Sequence, residues 1–238
     1  MYLGKYLLGP NDTPENGIYT GDAKILSEAI PDESVDLVFT DPPYHKEYLS
    51  LYGWLGEIAN RVLKPNGSCL VYAGHPYFRT TLSLLENSLE FFTTLCVWEP
   101  GMNSRIFSKR IMSGWRPVLM MRRKDAPNDT PWIPNALSST FRDKRYHRWG
   151  QNVLPAKIWI RYLCPEGGVI LDPFAGGGTS CAAAKQVRRA YLAFEIDPEV
   201  AELARERVRN TQPPLFVLEP EQVAMEFPIQ GNGFCQAH

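Results

Sequence analysis

Asp172-Pro173-Phe174-Ala175-Gly176-Gly177-Gly178-Thr179 decides the fold of this chain. The apolar run from Gly168 to Leu171 reads as a strand, and Asp172 closes it. Glycines follow where a backbone must turn sharply and let a ligand come close. A small-residue helix then runs from Thr179 to Val187, its amino end aimed at that ligand. Strand, glycine turn and helix in this order belong to open, mostly parallel sheets, which bind ligands beyond the carboxyl ends of their strands. Glu195 follows roughly 20 residues on, where an acid can accept hydrogen bonds from ribose hydroxyls. The glycine spacing is not GxGxxG, so a nucleoside without a pyrophosphate fits better than a dinucleotide.

Working outward, Arg189 to Phe194 reads as a further strand. Asp197-Pro198-Glu199 then starts a helix with a capping carboxylate and a proline in the first turn. Val153 to Leu163 is a helix upstream of the glycine turn. Nearer the amino end, Gly17 to Gly21 is a short strand, Asp22 caps a helix, and Val35 to Thr40 is a continuous apolar strand ending at Asp41. Leu49 to Leu63 gives one helical face and stops at Lys64-Pro65-Asn66-Gly67, and Cys69 to Ala73 is the next strand. Phe78 to Glu86 is helical, and Phe91 to Trp98 with Val118 to Met121 reads as an antiparallel edge pair. From residue 211 the tail has no clear assignment.

The 238 residues are 44% hydrophobic and 12% aromatic, enough to bury one substantial core. The reading is one domain over residues 1–238, with a short insert within about 99–150. The five cysteines are scattered without CxxC or Cys/His zinc spacing, as expected of reduced thiols in a cytosolic protein with no metal. Nothing resembles a signal peptide or a membrane span.

Asp41-Pro42-Pro43-Tyr44 carries the second chemical signal. The lone pair of an aromatic exocyclic amine is delocalised into its ring, so alkylating that nitrogen needs acceptors directed at its two hydrogens. The Asp41 carboxylate supplies one and the Pro42 carbonyl a second, while the two prolines stiffen the loop and remove competing donors. Tyr44 offers a flat face for a base removed from a duplex. Asp-Pro-Pro alone is common turn chemistry; its place at the end of an apolar strand gives it the functional reading.

Charge is segregated. Between Gly101 and Gly150 eleven Lys and Arg stand against three Asp, a net +8, which leaves −9 for the remainder of a chain whose formal charge is −1. Local charge sets the field that a phosphate backbone meets. Phe141 to Trp149 interleaves cations with aromatics, so Arg142, Lys144, Arg145 and Arg148, together with Arg105, Lys109 and Arg110, are the candidate DNA contacts.

With both motifs in this order, the sequence resembles the beta class of S-adenosylmethionine-dependent DNA amino-methyltransferases, in which the catalytic motif precedes the cofactor motif. The likeness runs from about Ile18 to Arg209. It implies an α/β, Rossmann-like, seven-stranded and mostly parallel sheet with helices on both faces and a circularly permuted motif order. It also implies that Asp22 lies beside the cofactor adenine, that Phe174 and Gly176 line the methionine and ribose region with Asp172, Ala175, Gly178 and Thr179 shaping it, and that Glu195 holds the ribose. Where such enzymes often carry His-Pro and Lys-Pro, this chain has Gln151-Asn152-Val153-Leu154-Pro155-Ala156-Lys157. The implied substrate is duplex DNA in a bacterial, archaeal or phage cytoplasm, read by a compact recognition element or with help from a second subunit. Asp at the first motif position points to adenine N6, with cytosine N4 the alternative. An RNA methyltransferase and a catalytically silent DNA-binding protein are further alternatives. Cytosine C5 chemistry needs a thiolate, usually in a Pro-Cys pair, which the chain lacks.

Overall fold

Val35–Thr40 (β4) is buried at all six positions. A strand apolar on both faces needs a covering layer on each side, and that requirement organises the rest. The computed structural model describes residues 2–7, 17–99, 104–139 and 152–212. Tyr2–Leu3 (β1) and Tyr6–Leu7 (β2) form a small antiparallel hairpin. The remaining strands are Ile18–Thr20 (β3), Leu63–Tyr72 (β5), Glu90–Trp98 (β6), Ser104–Ile106 (β7), Ile111–Ser113 (β8), Trp115–Arg122 (β9), Ala136–Ser138 (β10), Val169–Asp172 (β11) and Ala190–Glu195 (β12). The helices are Ala23–Ser27 (α1), Ser50–Val62 (α2), Phe78–Glu86 (α3), Val153–Leu163 (α4), Thr179–Gln186 (α5) and Pro198–Asn210 (α6).

Among the described residues the main sheet has eight strands in the order β10-β6-β9-β5-β4-β11-β12-β3. One face is filled by α1, α2 and α3 around Val38, Leu55, Ala59, Val71, Leu171 and Phe194. The other is filled by α4, α5 and α6 around Leu37, Phe39, Trp159, Ile160, Ala183 and Ala204. The chain leaves β4 through α2 toward β5, and leaves β11 through α5 toward β12, in the opposite direction along the sheet. The β4/β11 boundary is therefore the topological switch point, where open α/β sheets keep a crevice at their carboxyl edge.

Two buried carboxylates clasp that boundary. At the amino ends of the strands, Lys64 Nζ donates to both oxygens of Asp36 at 2.8 Å, and the Val169 backbone N–H donates to Asp36 Oδ2 at 2.8 Å. At the carboxyl ends, Thr40 Oγ1 donates to Asp172 Oδ1 at 2.6 Å. In a low-dielectric interior each such carboxylate must be fully hydrogen-bonded to be tolerated.

The Rossmann-like α/β expectation holds, with three differences. The sheet has an eighth strand, the three-residue β10, which pairs parallel to β6. Val118 to Met121 is not at an edge: β9 lies between β5 and β6, antiparallel to both. Its apolar run is buried from Pro117 through Arg122, as an interior strand requires. The third difference is length, since β5 already begins at Leu63 and pairs there with Val35, the register shifting before Leu37. The proline and glycine at its start coincide with that irregularity. Among the described residues no helix is long and apolar enough to cross a membrane.

Candidate active site

Along the carboxyl edge of the sheet, chain ends that lie far apart in sequence stand in a row. Asp22 follows β3, Glu195 ends β12, Asp172 and the glycine turn follow β11, Asp41 follows β4, and Gly74 follows β5. The two motifs singled out in the sequence therefore meet on adjacent parallel strands.

The glycine turn is held from several directions. Asp172, 5% exposed, accepts from Thr40, from the Phe174 N–H at 3.0 Å and from Ser180 Oγ. Burial pushes its carboxyl up to about 6, against the pull of those hydrogen bonds. The Ala175 N–H donates to Phe194 O at 2.8 Å. Arg207, buried in α6, donates to Gly177 O at 3.0 Å and to Thr179 Oγ1 at 2.8 Å, so the Thr179 hydroxyl faces this brace. Gly178 sits at φ 70, and a Cβ there would lie 3.1 Å from Ala204 Cβ. Gly176, at φ 48, faces open space, with nothing within 4 Å of where a Cβ would stand. Glu195 accepts from the Gly176 N–H at 2.9 Å and from the Asp197 N–H at 3.0 Å, which fixes its carboxylate at the rim of that space. Phe174 packs edge-on against Trp54 of α2, ring centres 6.0 Å apart. Asp22 is exposed and caps α1 by accepting from the Lys24 N–H at 2.8 Å. An open, glycine-lined cradle with a positioned acid at its rim and an aromatic at its end fits an adenosyl sulfonium ligand.

The acidic corner is built differently. Pro42 is buried, and Asp41, Pro43 and Tyr44 are half-buried. Tyr44 donates its hydroxyl to Asp41 Oδ1, and its ring lies against Gly74, where a Cβ would come within 3.1 Å of Tyr44 Cβ. Burial, and then the charge of Asp41, push the Tyr44 phenol well up, so it stays protonated and remains a donor. Behind the corner, Arg116 at the start of β9 pairs with buried Glu99 and lies 5.9 Å from the Tyr72 ring centre. Burial works against its charge, but Asp41, Tyr44 and Glu99 outweigh it and hold Arg116 above the usual guanidinium range. Tyr52 of α2 is 1% exposed, and its hydroxyl has no hydrogen-bond partner among the described residues.

Sequence reasoning did not find Thr40, Gly74, Glu99, Arg116 or Arg207. Only Gly74, in a Gly-His-Pro turn after a strand, carried a local signal. Of the expected DNA contacts, Arg105, Lys109 and Arg110 are exposed on the β7–β8 hairpin. Arg142, Lys144, Arg145 and Arg148 lie outside the described residues. Part of the basic segment serves the fold: Arg116 is paired with Glu99, Arg122 is buried against Phe92, and Arg123 bridges Glu33 and Asp125. The four described cysteines are free thiols; burial pushes Cys164 up to about 12 and raises Cys69 and Cys181 further.

Comparison with known proteins agrees with this geometry. A family model described as DNA methylase matches residues 122–206. The type II methyltransferase M.BamHI of Bacillus amyloliquefaciens is 26% identical over 81% of this chain and 57% of its own length, and the DNA adenine methyltransferase YhdJ of Escherichia coli is 27% identical over 80% and 82%. Among solved structures, the cytosine-N4-specific PvuII DNA methyltransferase superposes with TM-score 0.72 at 21% identity, covering 94% of each chain. The complex of M1.HpyAVI with S-adenosylmethionine gives 0.67 at 21% identity, covering 81% of this chain and 98% of that one. The fold is that of S-adenosylmethionine-dependent methyltransferases. The chain spans little more than half the length of M.BamHI and about four-fifths of YhdJ.

Proposed function

We propose that this enzyme is a single catalytic domain that methylates the N6 amine of an adenine extruded from duplex DNA. The observation that carries the reading is the Thr40–Asp172 hydrogen bond, which locks the acidic corner and the glycine cradle side by side at the switch point of one sheet. The order of groups along the edge supports a division of roles. Asp22 stands at the adenine end, Glu195 at the ribose, the Phe174–Gly178 turn at the methionine, and Asp41 next to it at the target. S-adenosylmethionine, when bound, supplies a methyl group activated on a sulfonium.

The corner prepares the nucleophile. The incoming amine replaces the Tyr44 hydroxyl on the Asp41 carboxylate, and the Pro42 carbonyl takes its second hydrogen, which turns the nitrogen lone pair out of conjugation. Tyr44, stiffened by two prolines and backed by Gly74, then stacks on the ring. On methylation the nitrogen would lose a proton, which Asp41 would accept and pass to solvent. Arg116, held by Glu99, lies behind this exchange and supplies the positive charge that faces Asp41. The exposed Arg105, Lys109 and Arg110, with residues 142–148 of the insert, hold the phosphates, and a second copy of the chain extends this short recognition surface.

Asp at the first motif position and the likeness to YhdJ support adenine. The likeness to the PvuII enzyme favours a second reading, cytosine N4, by the same chemistry. Incubation with methyl-labelled cofactor and unmethylated DNA, followed by nucleoside analysis, tests both. N6-methyladenine is expected; labelled N4-methylcytosine would replace the first reading with the second.

A further inference from the structure

The β7–β8 hairpin carries an exposed aromatic ring at its turn, in a stretch that is basic and free of acids. Phe107, at the turn, is 82% exposed, while Ile106 beside it is buried as the hairpin's anchor. Arg105, Lys109 and Arg110, all exposed, flank it along the hairpin, and residues 104–113 contain no acid. Arg110 takes the left-handed region at φ 51 and closes the turn, its N–H donating to Phe107 O at 3.4 Å.

The hairpin is also aimed. It joins the end of β6 to the start of β9, whose last and first residues, Trp98 and Trp115, pair at the same sheet edge that carries Asp41. Its base is tied to the loop after β5: His75 Nε2 lies 2.8 Å from Ser113 Oγ and 2.8 Å from Trp115 O, and the His75 and Trp115 rings meet edge-on at 4.8 Å. The neighbouring Gly74 packs on Tyr44. A short chain of contacts thus runs from the target-base platform to the root of the hairpin.

We propose that Phe107 is a wedge that enters the base stack and fills the gap left by the extruded base. A gap in a duplex is apolar on its two stacked faces and walled by phosphates. A flat ring flanked by cations, on a narrow hairpin, matches that chemistry. This rests on the reading of the enzyme as one that extrudes its target, and it is indifferent to whether that target is adenine or cytosine. Phe107 is a positioning residue: it does not touch the reacting atoms.

The test uses the full chain and a short duplex with one abasic site near its centre, where the gap already exists. Wild type should bind this duplex about tenfold more tightly than the intact one, and Phe107→Ala should bind both alike. On unmethylated genomic DNA, Phe107→Ala should lower kcat about tenfold with cofactor affinity unmoved, whereas Phe107→Trp should keep both the abasic preference and turnover. Unchanged preference and kcat in Phe107→Ala would overturn the proposal. So would a shift from dimer to monomer in sedimentation with both duplexes weakened equally, which would make the tip a subunit contact. A product of N4-methylcytosine would overturn the adenine assignment and leave the abasic preference standing, so the two readings fail separately.

Discussion

At the end of β11, the buried Asp172 carboxylate receives three donors and Arg207 braces the turn that follows. At the neighbouring end of β4, a buried phenol, Tyr52, has no partner among the described residues, and Tyr44 bonds to the very carboxylate that the proposed chemistry needs for substrate. One corner is finished before any ligand arrives; the other, on the proposed reading, is completed by its substrate. The difference follows from what each must hold. A cofactor site gains affinity from preorganisation. A site for a base drawn out of a duplex must exchange a contact of its own for one with the base, so that the substrate is also the key.

Several substitutions would break or sharpen this contrast. The largest effect is expected from Asp41→Ala, which should lower turnover on duplex DNA about 100- to 1,000-fold while calorimetric affinity for S-adenosylmethionine hardly moves. A parallel loss of cofactor affinity would merge the two corners into one. Next comes Asp172→Asn. Folding raises this carboxyl to about 6, so the stability tied to its protonated form is complete below the ordinary carboxylate pKa and is lost as pH climbs through the folded value. Relative to Asp172→Asn, wild type should lose roughly 3 kcal/mol between about pH 4 and pH 6 in denaturant unfolding. A difference that stays flat with pH would mean that the carboxyl does not titrate there.

Glu195→Ala should weaken cofactor binding about 10- to 100-fold and leave turnover of the saturated enzyme near wild type. Unaltered affinity would remove this acid from the cradle's function. Gly74→Ala presses a methyl group against Tyr44 at 3.1 Å and should cut kcat about tenfold without touching cofactor affinity. The smallest change is expected of Tyr52→Phe, which deletes a buried hydroxyl with no partner among the described residues and should raise stability by about 1 kcal/mol. A fall in stability would show that this hydroxyl is satisfied in solution.

Strands and helices with strong local grammar were legible in the sequence. Val153–Leu163 appears with the expected bounds, β4 and β11 end at the two motifs, and Asp197 caps α6 through the Glu199 and Val200 N–H groups. What the sequence could not supply was adjacency. Nothing local to Thr40 says that it faces Asp172, because the contact exists only once two distant strands pair. β9 was misplaced at an edge for the same reason, although its continuous apolar run already marked a strand covered on both sides. The β7–β8 hairpin was illegible because strands of three residues around a turn carry no periodicity. Charge alone overstated the nucleic-acid surface, since a count cannot tell Arg105, in solvent, from Arg116, inside an ion pair.

The separation of 132 residues between Thr40 and Asp172 also bears on synthesis. A chain leaving the ribosome carries β4, apolar on both faces, with one side unzipped until residues 169–172 emerge. Such a lag between a strand and its mate slows folding and leaves a sticky margin open to neighbouring polypeptides. On the proposed reading the two corners can therefore meet only once most of the described chain has been made, and a translation product ending before β11 lacks the cradle altogether.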